Sequence, residues 1–153
     1  MGEYYIQEIS TLTGYILDTE KITAVIPESA LNGAVTVNLG TFVNARGQFI
    51  IHKVDRTGES LSEATFLIKN VTDNTVLGNF TTENGILTLT NLDAGSTYSY
   101  EETAAPSGYA LDQQVYLFTI PDQVEGTYTP ETRDVVNYEA KIILPNLGVE
   151  GQQ

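Results

Sequence analysis

The 153-residue sequence has no cysteine, no tryptophan, one histidine and one methionine, and its 7 basic side chains face 20 acidic ones. Each shortage removes a class of chemistry. Without cysteine there is no disulfide, no thiolate metal site and no thiol nucleophile. A single histidine, His52, leaves little room for a histidine-based triad or zinc site. The net charge of -13 opposes nucleic acid and anionic membrane surfaces as partners. Its acidic residues are scattered, as on a solvated surface. No apolar run approaches the ~18 residues of a membrane span, and Met1-Gly2 opens directly onto strand-like residues. What remains is an ordinary hydrophobic fraction of 41% and a length that suits one domain, or one domain plus a fragment.

Self-similarity organises the chain. Residues 4–15 read YYIQEISTLTGY and residues 98–109 read YSYEETAAPSGY. Tyr4, Glu8, Gly14 and Tyr15 align with Tyr98, Glu102, Gly108 and Tyr109 at one offset, 102 − 8 = 94. Leu17-Asp18 continues onto Leu111-Asp112, and Ile26-Pro27-Glu28 onto Ile120-Pro121-Asp122. Phe42-Val43-Asn44 then matches Val135-Val136-Asn137 with the offset slipped to 93. Such a period is the length of a small domain rather than of a solenoid unit. Residues 1–47 are therefore expected to be the C-terminal half of one domain and residues 48–140 the complete next copy. The chain is expected to be a fragment of something longer, with residues 141–153 as a tail.

Within the complete copy, β-rich or alternating runs occur near 48–54, 63–69, 75–81, 86–90, 97–103, 114–120 and 133–139. Turn signals such as Asn84-Gly85, Asp93-Ala94-Gly95 and Pro106-Ser107-Gly108 separate them. No stretch has a capped helical period. About seven short strands at this spacing predict an all-β sandwich or open barrel.

Alternation puts three polar residues among apolar ones. Lys53 shares a face with Phe49 and Ile51, Glu102 with Tyr98 and Tyr100, and Asn137 with Val135. Buried charges are paired, neutralised or functional. A buried Lys53–Glu102 salt bridge is one reading. Reaction is the other. A desolvated lysine has a lowered pKa and presents a neutral amine. A buried carboxylic acid can hydrogen-bond the Asn137 carboxamide, polarise its carbonyl and carry a proton to departing ammonia. With water excluded, amine and amide then exchange without a cofactor.

Residues 98–109 resemble the E-box of Gram-positive pilins and of Cna B-type (collagen-adhesin B-type) or SpaA-like domains, written Y-x-L-x-E-T-x-A-P-x-G-Y, with Tyr100 in place of leucine. GQFIIHKVDRTGESLSEATFLI resembles the family's lysine-bearing first strand, and DVVNYEA its asparagine-bearing last strand. The resemblance covers nearly all of 48–140. It implies a transthyretin-like (prealbumin-like, Ig-like) β-sandwich with an intramolecular isopeptide bond. Lys53 would be nucleophile, Asn137 electrophile and Glu102 the proton-shuttling acid. In the leading half copy Glu8 and Asn44 hold the acid and amide positions, but Ile9 and Leu12 replace Thr103 and Pro106. Lys21 aligns with Val115, outside the lysine strand. This half is expected to form no cross-link of its own and to pack incompletely.

The resemblance further implies a structural stalk or pilin module outside the cell, anchored to the cell wall or part of a pilus. Its partners would be neighbouring domains of the same surface protein, and no turnover enzyme activity, cofactor or metal is implied. The alternative is an adhesin head binding a host matrix protein or glycan through its loops. Residues 144–148, LPNLG, approach the sortase signal L-P-x-T-G through Leu144, Pro145 and Gly148, with Leu147 in the threonine position. Sortase is thus a further expected partner. His52 falls on the face opposite Lys53 and reads as a half-exposed strand residue.

Overall fold

A computed structural model describes residues 2–26, 28 and 33–142. Leu144, Pro145 and Gly148 lie outside the described residues. The strands are β1 (Gly2–Gln7), β2 (Tyr15–Asp18), β3 (Lys21–Ile26), β4 (Ala45–Asp55), β5 (Thr65–Asn70), β6 (Thr75–Thr81), β7 (Ile86–Leu92), β8 (Thr97–Ala104), β9 (Val115–Thr119), β10 (Gln123–Val124) and β11 (Glu131–Asn137). Among the described residues no helix is long and apolar enough to cross a membrane.

The strands form the all-β sandwich that the alternation predicts. One sheet runs β6-β5-β8-β9, antiparallel throughout. The other is centred on β4, which pairs antiparallel with β7 and parallel with β11. Inward residues of both sheets make the core: Phe49 and Ile51 from β4, Phe66 and Ile68 from β5, Tyr98 and Tyr100 from β8, and Val135 from β11. Aromatic contacts bridge the sheets, with Phe49 of β4 stacked on Phe118 of β9 at 3.7 Å and tilted against Tyr100 of β8 at 5.6 Å. The packing is dense enough that Gly47 admits no side chain, since a Cβ there would sit 2.5 Å from Ile120 Cγ2.

All seven runs expected between 48 and 140 are strands, and only β10 has no counterpart among them. Two residues cannot produce a periodic signal.

The leading segment divides in two. β1 and β3 pair with each other as a separate hairpin, Tyr4 opposite Ala24 and Ile6 opposite Ile22. β8 and β9 pair in the same register at the same offset, Tyr98 opposite Phe118 and Tyr100 opposite Tyr116. The apolar residues of β1 stay uncovered: Tyr4 is 57% exposed, whereas Tyr98 is 2% exposed. β2 behaves differently. It pairs antiparallel with the start of β4 and parallel with β10, and its Ile16 is part of the sandwich core. Incomplete packing therefore describes the hairpin and not β2.

Candidate cross-linking site

Three strands bring the site together. β4 and β11 run side by side with Val135 as the Cα partner of Lys53. Asn137 lies two residues further on, about 6.6 Å along the strand and on the same face, within reach of a lysine stem. Glu102 comes from β8 in the opposite sheet, where it pairs with Phe66. The site thus spans the sandwich interior. The Lys53 backbone is pinned on its free side, its N–H donating to Gly85 O at 2.7 Å and its carbonyl accepting from Leu61 N at 2.8 Å. Gly85 makes that approach possible, because its φ is 79° and a Cβ would lie 3.1 Å from Lys53 O and 2.6 Å from Ser60 Cβ.

All the polar members are buried: Lys53 is 0%, Glu102 5% and Asn137 1% exposed. Lys53 Nζ donates to Val135 O at 2.6 Å and lies 4.0 Å from Glu102 Oε1. Burial pushes the Lys53 pKa down, and the nearby charges of Glu102 and Asp112 oppose that shift without reversing it. Asn137 Nδ2 donates both to Glu102 Oε2 and to Ala110 O, each at 2.9 Å. A backbone carbonyl only accepts, so this second bond fixes which end of the carboxamide is nitrogen. Glu102 Oε1 and Asn137 Oδ1 have no hydrogen-bond partner although both are buried. The acid therefore holds the amide nitrogen, not the carbonyl oxygen that sequence reasoning had it polarise.

Sequence reasoning gave no role to Asp112. Its backbone N–H donates to Glu102 Oε2 at 2.8 Å, and its carboxylate Oδ2 accepts from Tyr116 OH at 2.6 Å. Burial, followed by the bond to Asp112 and its charge, pushes the Tyr116 phenol pKa upward, so it remains a donor. The one sequence signal was the Leu-Asp pair recurring at 17–18 and 111–112. His52 lies on the outer face, its ring nitrogens 3.0 Å from Asp134 Oδ1 and 3.0 Å from Ser60 Oγ.

The leading segment holds a second acid–amide pair. Asn44 Nδ2 donates to Glu8 Oε1 at 2.9 Å. Glu8 Oε2 and Asn44 Oδ1 are again buried without a partner, although both residues as a whole are only half-buried. Among the described residues no lysine pairs with Glu8, and Lys21 instead lies over the Tyr5 ring at 4.5 Å.

Residues 47–134 match the family model of the SpaA prealbumin-like fold domain. No curated protein matches the chain. Among solved structures it is similar to the TIE protein of Bacillus anthracis, at 26% identity and a TM-score of 0.56, over 90% of this chain and 25% of that one. It is similar to the group B streptococcus pilus 2b backbone protein at 31% identity and a TM-score of 0.52, over 63% of this chain and 43% of that one. With BcpA, the major pilin subunit of Bacillus cereus, it shares the fold: 24% identity, a TM-score of 0.54, and 61% and 29% of the two chains. The chain thus spans less than half the length of each of these proteins.

Proposed function

Because the chain belongs to the SpaA prealbumin-like fold domain family, we propose that it is a stalk module of a pilus or other extracellular surface protein, locked by an isopeptide bond between Lys53 and Asn137 that Glu102 helps to form. The observation that carries this reading is the burial of an amine, an acid and an amide together with two oxygens, Glu102 Oε1 and Asn137 Oδ1, left unpartnered. Buried oxygens are rarely left so, and an unfinished constellation accounts for them. The pilus 2b backbone protein is a relative consistent with such a setting.

The chemistry follows from the placement. Burial favours the neutral amine of Lys53, the nucleophilic form. Nζ attacks Asn137 Cγ, forming a C–N bond, and the proton shed by Nζ passes to Glu102 through the Oε1 that faces it. Glu102 Oε2 already holds Nδ2, so it delivers a proton to the leaving nitrogen. The Cγ–Nδ2 bond breaks and ammonia departs. Amine plus primary amide becomes secondary amide plus ammonia, and the acid ends as it began. The domain supplies proximity and a dry interior, and the reaction runs once.

The bond would close 84 residues of chain (137 − 53). By analogy with disulfides this removes unfolded-state entropy worth about 4 to 5 kcal/mol. Load entering along β4 and leaving after β11 would cross at Lys53–Asn137, so residues 54–136 would carry none of it. Neighbouring domains of the same surface protein are the partners this role requires. Sortase recognition of Leu144, Pro145 and Gly148 is a proposal of the same reading; contact with host matrix or glycans belongs to the alternative, an adhesin head.

Intact-mass spectrometry tests it. The folded chain should be lighter than its sequence by one ammonia, and Glu102→Ala or Asn137→Ala should restore the full mass. A folded parent chain at full mass would end the cross-link reading.

A further inference from the structure

The repeat puts one surface on the chain twice, covered in the first instance and, among the described residues, unpaired in the second. In the leading segment β2 is covered by the following domain. Leu17 N–H donates to Asp122 O at 3.0 Å, and Thr19 N–H to Val124 O at 2.8 Å. Gly126 N–H donates to Asp18 Oδ1 at 2.9 Å, and Ala94 N–H to Gly14 O at 3.1 Å. A cleft of about 340 Å³ is left there, with Asp18, Glu20 and Val43 on one wall and Val124, Gly126 and Tyr128 of the following domain on the other.

The equivalent segment, 109–114, has the same local build. Gly14 and Gly108 have φ of 83° and 85°. Tyr15 N–H donates to Leu12 O and Tyr109 N–H to Pro106 O, both at 3.0 Å. Asp18 Oδ1 caps Glu20 N–H at 2.9 Å, and Asp112 Oδ1 caps Gln114 N–H at 3.0 Å. Among the described residues nothing covers it. The cleft, lined by Asp112, Gln114, Asp134 and Val136, widens to about 590 Å³. Leu111 is 44% exposed, and among the described residues neither Leu111 nor Gln113 makes a hydrogen bond. Bare strand-like N–H groups beside an open cleft are a template for one more strand.

We propose that residues 109–114, with the adjoining face of β11, dock a following domain of the same kind, whose segment equivalent to Asp122–Gly126 adds as a short parallel strand. This rests on the stalk reading and gives it a junction. The path of the chain supports the occupant. Tyr109 bridges Glu139 as Tyr15 pairs with Arg46, and the offsets match. Ala110 N–H donates to Tyr138 O at 2.9 Å and Ala140 N–H to Gly108 O at 2.8 Å, so the chain leaving Asn137 takes the course that Ala45–Gly47 takes into β4. A second copy of this chain is not the occupant, because its own Gln123–Val124 is already paired with its β2. Residues 15–20 and 109–114 differ at three positions, Ile16/Ala110, Thr19/Gln113 and Glu20/Gln114, of which the first bears on packing. Ile16 is buried in the core, whereas its equivalent, Ala110, brings a smaller side chain. The second junction is the looser one.

The test is a chain in which a second copy of residues 45–137 replaces residues 138–153, followed by amide hydrogen exchange. Exchange at Leu111 and Gln113 should slow about tenfold or more relative to the parent chain. Ala110→Ile should slow it further. Gln113→Pro, which removes one donor, should return Leu111 to the parent rate while both domains keep dispersed amide spectra. Unchanged exchange beside a folded added domain overturns the proposal. So does an added domain that fails to fold after Asn137, since the same sequence folds after Asn44. Ammonia loss reports the cross-link and amide protection reports docking, so either reading can fail without the other.

Discussion

Two acid–amide pairs, Glu102–Asn137 and Glu8–Asn44, have the same hydrogen bond at 2.9 Å and the same two unpartnered oxygens, yet only the first faces a lysine. The contrast separates what is local from what is not. In both places an acid in or just past a strand, a glycine turn and a short return segment accompany a carboxamide seated on a carboxylate. The third member arrives on a different strand, and with it come the sheet that excludes water and the shift of the amine toward its neutral form. The second pair shows the seat without the reactant. The pair forms without the lysine strand; on the proposed reading, reactivity would need that strand as well.

Removing the lysine should make the first pair resemble the second, and this is the largest expected effect. Lys53→Ala should lower stability by about 4 to 5 kcal/mol for the lost closure, a fall in melting temperature on the order of 10 °C or more, with matching loss of trypsin resistance. An unchanged melting temperature would show that the bond, if formed, does not stabilise. A pH series sharpens the contrast next. In Asn137→Ala the amine stays free, with a folded-state pKa below the ordinary 10.5. Between those two values the unfolded chain binds the extra proton, so stability should rise with pH across that window, by at most about 1.4 kcal/mol per unit, and level off above it. Chemical denaturation at stepped pH reads this directly. A curve flat up to pH 10.5 would mean that Lys53 is solvated. The smallest effect belongs to the bare pair. Asn44→Ala should leave the mass deficit at one ammonia and cost no more than about 1 kcal/mol, since it breaks one hydrogen bond between half-buried groups. A loss of two ammonias from the parent chain would erase the distinction altogether.

Much of this was legible in the order of residues. Period-2 alternation puts Lys53 with Phe49 and Ile51, Glu102 with Tyr98 and Tyr100, and Asn137 with Val135, and these faces are the buried ones. Asn84-Gly85 announced its turn, with φ of 51° and 79°. Alternation does not say which strands become neighbours, so the parallel pairing of β4 with β11, and the arrival of Glu102 from the opposite sheet, were not readable. Nor was the way the carboxamide is turned, which Ala110 O decides from a loop distant in sequence. Asp112 escaped notice because its contribution is partly a backbone N–H, which every residue but proline carries. The departure of β2 into the next sheet was hidden for a related reason: the aligned repeat predicts a like role for like sequence, while Ile16 is held by contacts outside its own unit.

β4 and β11 lie far apart in sequence, yet they are in contact. Non-local pairing of this kind is assembled late and slowly. A ribosome releases Lys53 long before Asn137, and no shorter nascent chain contains both groups. Ammonia release would therefore be a timestamp for finished synthesis and finished folding, set once per molecule and never reset. On the proposed reading, chains interrupted or misassembled before that moment would stay unsealed and open to proteases that sealed ones would resist.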